Sequence, residues 1–530
     1  MNIYLLHQIL EDRAARYPGN EAIVYRDQSL NYSDLESKSN QLARLLIRNG
    51  VKAGDRVGIM LGKCLESIIS IFGILKTGAC YVPIDPSAPA TRVSYILRNC
   101  EIMILLTSEH ILGRLGDLDT SGSYPGSVIV TERTVGASVF RDDRPTIIDW
   151  QEIDRESDSS LEKVSIPDVN PAYILHTSGS TGYPKGVVIS HHNALAFVNM
   201  TTDFFKVSEE DRLCNHAALY FDLSMFDIFV ALNSGGTVVL IPENLSVFPV
   251  MLAEYIEKKK ITVWNSVSSI LSMLAIRGSL NRFTFPSLRL VIFSGEILPV
   301  KYLRILKTHM TNAEFYNIYG QTEANSSTYY KVTELPRDDS WKIPIGRPFP
   351  NFEVFLLDEG GKIIDFPGGE GELYVKGSTV ANGYWRDPER TRERFITDPR
   401  VENSPINVYR TGDLVRRDEN GDLIFAGRKD HLIKSRGYRI ELDEIEVALN
   451  SHPMVRQAAV IPIPDETIGN RIVACVATFD GAKGAADDIL SYCSKLLPKY
   501  MIPEKIEFYE NLPQTPNGKI DRKTLINSAL

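Results

Sequence analysis

The residues with the clearest chemical potential lie between Ile174 and Ile189, which read Ile-Leu-His-Thr-Ser-Gly-Ser-Thr-Gly-Tyr-Pro-Lys-Gly-Val-Val-Ile. Thr177, Ser178, Ser180 and Thr181 supply hydroxyls, Gly179 and Gly182 expose backbone N–H groups, and Lys185 supplies a cation. Together they can form a nest of donors for a polyanion. The segment is not the phosphate loop G-x-x-x-x-G-K-[ST], because Gly186 follows Lys185, and it is not G-x-G-x-x-G. An apolar run precedes the loop and a β-branched run follows it, so it is expected to join two strands rather than to open a helix. A Ser/Gly-rich surface turn has the same composition. The loop alone does not choose between anion cradle and plain turn.

A chain of 530 residues exceeds one ordinary core, so several domains are expected. Hydrophobic residues make up 43% and charged residues 24%, as in soluble globular proteins. A net charge of −9 disfavours nucleic acid as the main partner, since no excess of basic side chains exists to displace counterions. Cys64, Cys80, Cys100, Cys214, Cys475 and Cys493 are scattered without a C-x-x-C pair, which fits a reducing compartment and speaks against structural zinc. With Glu11, Asp12 and Arg13 soon after the first apolar residues, no signal peptide is expected at the N-terminus. The apolar stretch Ile68–Leu75 is too short to span a bilayer. A cytoplasmic protein with no membrane partner is expected.

The elements that would position the loop alternate between strand and helix. Residues 4–16 and the segment beginning at Leu30 read as amphipathic helices, the second with Ser33 as N-cap and Gly50 as stop. Val57–Met60 reads as a strand and Glu66–Lys76 as a helix. Residues 107–168 are rich in Ser, Asp, Gly and Arg and are expected to form a surface insertion of low functional content. From Pro171 to about Val401 the alternation returns, with strands near 236–241, 262–264 and 288–293. This pattern predicts an α/β fold with a largely parallel sheet. The last hundred or so residues read as a separate small unit. The expected division is a large N-terminal domain of layered sheets and helices over 1–429 and a small α+β domain over 430–530.

Several further segments carry a resemblance. Leu75-Lys-Thr-Gly-Ala-Cys-Tyr-Val-Pro-Ile-Asp85, the Thr177 loop, Phe221-Asp-Leu-Ser-Met-Phe-Asp227, Asn317-Ile-Tyr-Gly-Gln-Thr-Glu323, Gly371-Glu-Leu-Tyr-Val375, Tyr409-Arg-Thr-Gly-Asp-Leu414, Gly427-Arg-Lys-Asp430 and Asn517-Gly-Lys-Ile-Asp521 follow in that order. Taken together they resemble the adenylate-forming (ANL) superfamily, and most closely the amino-acid adenylation domains of nonribosomal peptide synthesis, including stand-alone ligases that load a carrier protein. The resemblance implies ATP-dependent activation of a carboxylate as an acyl-AMP with release of pyrophosphate, followed by transfer to a phosphopantetheine thiol. It also implies that the small C-terminal domain is mobile, turning about a hinge at Asp430 to withdraw Lys519 and present the Lys434–Arg439 face.

Attack of one anion on another demands charge neutralisation and alignment. By resemblance, Thr177, Ser178, Gly179, Ser180, Thr181 and Gly182 with Lys185 hold the β- and γ-phosphates. Thr322 donates to the α-phosphate, and Glu323 holds Mg²⁺, which favours hard oxygen ligands. Tyr319 stacks on adenine, Asn317 binds its exocyclic amine, and Gly295 lets the other ring face approach; Glu296 and Gly320 belong to the same nucleotide set. Asp413 and Arg428 contact the ribose. Lys519 bridges substrate carboxylate and α-phosphate. Lys519, Thr322, Glu323 and Lys185 are thus the expected catalytic set.

Asp222 stands where the family pairs a carboxylate with the substrate's α-ammonium group. A ligase for plain acids has no ammonium there, and a buried unpaired carboxylate is costly. Asp222 therefore discriminates for an amino acid, although its position also suits a helix N-cap. The implied pocket comprises Leu223, Phe226, Ser269, Ile292, Ser294, Ile318, Ser326 and Ser327, which offers no charge and suits alanine, serine, glycine or proline. The chain ends nine residues after Asp521, so a separate, free-standing carrier protein is the expected partner. Gln321 replaces the family's usual proline, Ser435 an apolar residue and Asp443 a glycine. An acyl- or aryl-CoA ligase, and a catalytically silent nucleotide-binding scaffold, are the competing readings.

Overall fold

The computed structural model describes residues 2–529 apart from 116–124, 132–144, 163, 180–181, 340, 405, 431, 480–485 and 515–519. Two large sheets organise the first two thirds of the chain. In one, the strands run Thr146–Asp149, Ser127–Thr131, Ile104–Ser108, Arg56–Met60, Cys80–Pro83, Pro171–Thr177 and Lys185–Ser190 in spatial order; all neighbours are parallel except the last pair. The other runs Arg347–Pro348, Asn325–Lys331, Glu314–Gln321, Leu290–Ser294, Val263–Val267, Arg212–Asn215, Thr237–Leu240, Glu21–Tyr25 and Gln28–Asn31. Its interior is parallel and its edges are antiparallel. The strands Ile104–Ser108 and Thr237–Leu240 are almost continuously apolar and buried, as expected of parallel strands covered on both faces.

Helices Tyr32–Arg48, Leu65–Lys76 and His191–Phe204 lie in the core that joins the two sheets. Leu42, Phe72, Phe197 and Phe229 pack there with Val57 and Tyr81 of the first sheet and Leu213 and Val238 of the second. Leu65–Lys76 is buried almost all round, the behaviour of a central helix rather than a surface one.

Three expectations change. The N-cap of Tyr32–Arg48 is Asn31, whose side chain accepts from the Asp34 N–H; Ser33 lies inside the first turn. Within 107–168, strands Ser127–Thr131 and Thr146–Asp149 extend the first sheet with register-matched parallel pairing, so this stretch is partly structural core; 116–124 and 132–144 lie outside the described residues. Alternation also does not persist to Val401. Strands Phe352–Leu357, Ile363–Ile364, Glu370–Gly377, Phe395–Thr397, Asn407–Arg417 and Leu423–Arg428 form a third, antiparallel sheet.

Beyond Arg428 the chain forms a hairpin, Leu432–Ser435 with Tyr438–Glu441, then helix Leu442–Asn450 and a sheet of Val455–Asp465, Gly469–Thr478 and Lys505–Tyr509. These elements have their own apolar core around Ile445, Leu449, Val460 and Ala474.

Candidate active site

Strands Val263–Val267, Leu290–Ser294 and Glu314–Gln321 run side by side, with Val267 opposite Ser294 and Ser294 opposite Ile318. A crevice opens at their carboxyl ends, where open parallel sheets place their ligands. Asn265, Val267, Ile292, Ser294, Gly295, Ile318 and Gly320 form one side of it. Thr177 and Ser178, at the end of Pro171–Thr177, form another. The loop after Thr177 joins antiparallel strands, with Thr177 opposite Lys185.

Glycines at the rim are required by geometry. A Cβ on Gly320 would lie 1.9 Å from the Asn325 carbonyl oxygen, at the bulge between Tyr319 and Gly320. A Cβ on Gly179 would meet the Tyr183 carbonyl oxygen at 2.2 Å. Gly295 takes a φ of +90°, a conformation that glycine adopts without steric cost.

Asp222 lines the crevice, and its Oδ2 accepts a hydrogen bond from the Thr322 hydroxyl at 2.9 Å. Although Asp222 holds the N-cap position of the short helix Leu223–Met225, its side chain makes no cap hydrogen bond. Burial pushes its carboxyl upward, and the Thr322 bond and the charge of Lys434 pull against that. Around it stand Leu223, Phe226, Ile292, Ser294, Ile318 and Ser326, as expected. Ser269 and Ser327 do not reach the crevice: Ser269 bonds Glu296, and the Ser327 hydroxyl donates to the Asn325 carbonyl at 3.2 Å.

Phe197, Thr201, Phe205 and Phe349 complete the apolar wall, and motif reasoning missed them. Phe197, Thr201 and Phe205 recur every four residues on and just after helix His191–Phe204, one helical stripe. That spacing was readable, but a stripe pointing at a ligand looks the same in sequence as one pointing at a core.

Glu323 is fully buried between two cations. Its carboxylate accepts from Arg439 at 2.6 Å and from the Tyr384 hydroxyl at 2.7 Å, and Lys185 Nζ lies 3.5 Å away. Burial alone would raise its pKa; Arg439 and Lys185 outweigh that and hold it well below the ordinary carboxylate range. Burial, with Arg439 nearby, lowers Lys185 to about 8 despite Glu323 and Glu441.

Of the expected adenosine residues, Gly295 and Gly320 line the crevice, whereas Asn317, Tyr319, Asp413 and Arg428 do not. Tyr319 and Arg428 both hydrogen-bond the Asp413 carboxylate. Gln321 joins them: its amide also donates to Asp413, and its carbonyl accepts from the Tyr409 hydroxyl at 2.7 Å. The family's usual proline would have no side-chain donor there. Asn317 donates to the Pro344 carbonyl at 2.7 Å. Ser180, Thr181 and Lys519 lie outside the described residues.

The C-terminal hairpin covers the crevice with Lys434, Gly437, Tyr438 and Arg439. The Ser178 hydroxyl donates to the Arg439 carbonyl at 2.8 Å and accepts from the Glu441 N–H at 3.1 Å. The Gly179 N–H donates to Glu444 at 2.9 Å, and Glu444 also pairs with Arg92 at 2.6 Å. Glu296, raised by burial to about 7, accepts from the Gly437 N–H at 2.7 Å. A carboxylate from the small unit therefore sits on the loop that was read as an anion cradle.

A crevice at parallel strand ends, a loop of hydroxyls and glycines, and a small C-terminal unit laid across both describe a two-part α/β enzyme built to hold a nucleotide. Residues 10–385 match the AMP-binding enzyme family and residues 444–519 its C-terminal domain; the chain belongs to the AMP-binding enzyme family. It is 35% identical over 526 residues to a dimodular nonribosomal peptide synthase of Bacillus subtilis, covering 98% of this chain but 21% of that protein. It is 34% identical to an L-proline–[L-prolyl-carrier protein] ligase of Pseudomonas fluorescens, covering 98% of each. The Vibrio cholerae adenylation domain AlmE, solved with glycyl-adenosine-5'-phosphate, superposes with a TM-score of 0.84 at 25% identity, over 99% of this chain and 97% of that one. Among the described residues no helix is long and apolar enough to cross a membrane.

Proposed function

We propose that this protein activates a small neutral amino acid with ATP and passes it to the phosphopantetheine thiol of a carrier protein. The substrate carboxylate oxygen attacks the α-phosphorus, the bond to the bridging oxygen breaks, and pyrophosphate leaves. The thiol sulfur then attacks the acyl carbon, AMP departs and the thiol proton is released. The observation that carries this reading is Asp222, a carboxylate that faces the crevice beside the aromatic and aliphatic wall, bonded to the Thr322 hydroxyl and with the charge of Lys434 bearing on it. An α-ammonium group is the substrate cation that such a carboxylate would pair with.

Proline is the substrate the pocket suits best within the set of alanine, serine, glycine and proline. Phe197, Phe205, Phe226 and Phe349 bound it, and two of the four serines expected there point elsewhere. A compact apolar ring fits such walls better than a hydroxyl, which would need a partner. The full-length similarity to the L-proline ligase supports the same choice.

The residues present fit ATP and Mg²⁺. Thr177 Oγ1 is buried and, among the described residues, has no hydrogen-bond partner, as befits a donor awaiting a phosphate. Arg439 and Lys185 hold Glu323 ionised, and withdrawal of Arg439 with the small unit would leave an ionised carboxylate for a divalent ion. Glu323 would hold Mg²⁺, which when bound neutralises charge on phosphate oxygens. Lys185 and the Thr177–Gly182 loop would grip the departing pyrophosphate, and Lys519 would bridge the reacting groups. Turning of the small unit about Asp430 would exchange Lys519 for the Lys434–Arg439 face.

The test is ATP–pyrophosphate exchange across a panel of amino acids and plain carboxylic acids, with Asp222→Ala made for the best substrate. Proline or another small neutral amino acid should lead, and Asp222→Ala should lower kcat/KM about 10²-fold, the scale of losing one side of a buried charge pair. Acids without an amine outrunning every amino acid, or free CoA outperforming a carrier protein as acceptor, would point instead to an acyl- or aryl-CoA ligase.

A further inference from the structure

We infer that Thr322 is a relay that makes transition-state stabilisation conditional on the substrate's α-amino group. This deepens, and rests on, the amino-acid-activating reading. A threonine hydroxyl has a single proton to donate. Here that proton is committed to Asp222 Oδ2 at 2.9 Å, so the same proton cannot serve a phosphate oxygen. Thr322 lines the crevice beside Gly320 and Gln321, at the end of strand Glu314–Gln321, and its hydroxyl can swing between the pocket carboxylate and a nucleotide lying along that strand end.

What decides the direction is charge. With no ammonium seated, the charge of Lys434 bears on the Asp222 carboxylate without drawing the Thr322 hydroxyl off it, because hydrogen bonds to ionised groups are roughly twice as strong as neutral ones. An ammonium group seated on Asp222 supplies its own donors and cancels the charge that held the hydroxyl. The strongest remaining acceptor is then the α-phosphate oxygen, where charge builds as the carboxylate oxygen bonds to phosphorus and pyrophosphate leaves. No proton is transferred in this exchange; the hydroxyl only turns. A carboxylic acid of the same shape without the amine would bind, yet leave Thr322 facing Asp222, and the reaction would lack one donor.

The relay predicts a loss in kcat, whereas simple recognition of the amine predicts a loss in KM. A cycle of two substrates and two enzymes tests it: the preferred amino acid and its des-amino analogue (for L-proline, cyclopentanecarboxylate) with wild type and Thr322→Val, read as kcat for pyrophosphate exchange. Loss of one aligned donor costs on the order of 10²-fold. With the amino acid, Thr322→Val should lose about that factor. With the analogue it should lose little more, because the donor is already withdrawn, and Thr322→Ser should restore the dependence on the amine. Asp222→Ala should raise kcat for the analogue, since removing the carboxylate frees the hydroxyl. Equal fold losses from Thr322→Val on both substrates, or an unchanged analogue rate in Asp222→Ala, would overturn the relay. A wild-type enzyme that uses the analogue as well as the amino acid would instead remove the amino-acid reading beneath it, and that result needs no variant. Thermal melts of each variant separate these outcomes from misfolding.

Discussion

Lys185 illustrates how a single side chain can belong to both stability and function. Burial lowers it from 10.5 to about 8, so between those values the unfolded chain binds a proton that the folded chain has released. Stability therefore rises with pH across that window, and the cost of holding the charge is fully present below pH 8. The charge proposed to bind phosphate runs the other way, fading as pH climbs through about 8. With saturating amino acid, kcat/KM for ATP reports the free enzyme and should fall about tenfold per pH unit above that value. Lys185→Arg should push this decline well beyond pH 10, because a guanidinium stays protonated. A wild-type profile flat to pH 10 would separate Lys185 from phosphate binding. Gln321 is the other residue whose meaning comes from its neighbours: where the family usually has a proline, its amide links Tyr409 to Asp413.

At the scale of elements, the helices and strands that carry the site were largely legible. Hydrophobic runs and periods located Glu66–Lys76, one residue short of helix Leu65–Lys76, and the two strands around the Thr177 loop. The misreadings share a cause. Asn31 and Ser33 are both good caps, and pairing of Gln28–Asn31 with Glu21–Tyr25 extends the chain as far as Asn31. Ser127–Thr131 and Thr146–Asp149 are short apolar runs in polar surroundings, and sheet pairing decides whether such a run becomes a strand. Phe229 is fully buried among the central helices and meets Phe72 edge-on at 5.7 Å between ring centroids. Phe229→Ala should cost about 3–5 kcal/mol, measured as a drop in the urea midpoint at unchanged m-value. A loss below about 1 kcal/mol would mean that this junction tolerates a cavity far better than buried phenylalanine sites usually do.

For the whole molecule, the decisive feature is how the C-terminal unit sits on the site. Glu444 reaches the Gly179 N–H and closes a buried ion pair with Arg92, while Arg439 reaches Glu323. An anion from one unit thus occupies the loop proposed for phosphate, and a cation occupies the carboxylate proposed for Mg²⁺. This arrangement and one with ATP fully seated exclude each other at these atoms. Glu444→Ala should weaken it, slowing carrier loading about tenfold or more while pyrophosphate exchange holds or rises, on the view that a buried pair broken on one side costs several kcal/mol. Slower exchange with normal loading would reverse the assignment. Lys519→Ala should do the opposite, losing about 10²–10³ in exchange yet loading the carrier from pre-formed aminoacyl-AMP at near the normal rate. Asp430, held ionised at about 2 by Arg428 and Arg394 against the effect of burial, is the proposed pivot, and Asp430→Pro should block loading while sparing exchange.

The order and chemistry of the motifs sufficed to read from sequence the α/β class, the adenylate-forming resemblance and the Thr177 loop between two strands, and they singled out Asp222 as the residue proposed to set the substrate class. Such features are local: hydroxyls, glycines and a lysine within a dozen residues carry their meaning wherever the chain takes them. The tertiary structure alone decided which serines face the pocket, that Phe197, Phe205 and Phe349 wall it, that Thr322 is bound to Asp222, and that Glu444 lies on the Thr177 loop. Those contacts join residues a hundred or more positions apart. Their formation depends on sheet register and on the seating of one unit against another, neither of which any short stretch of sequence encodes.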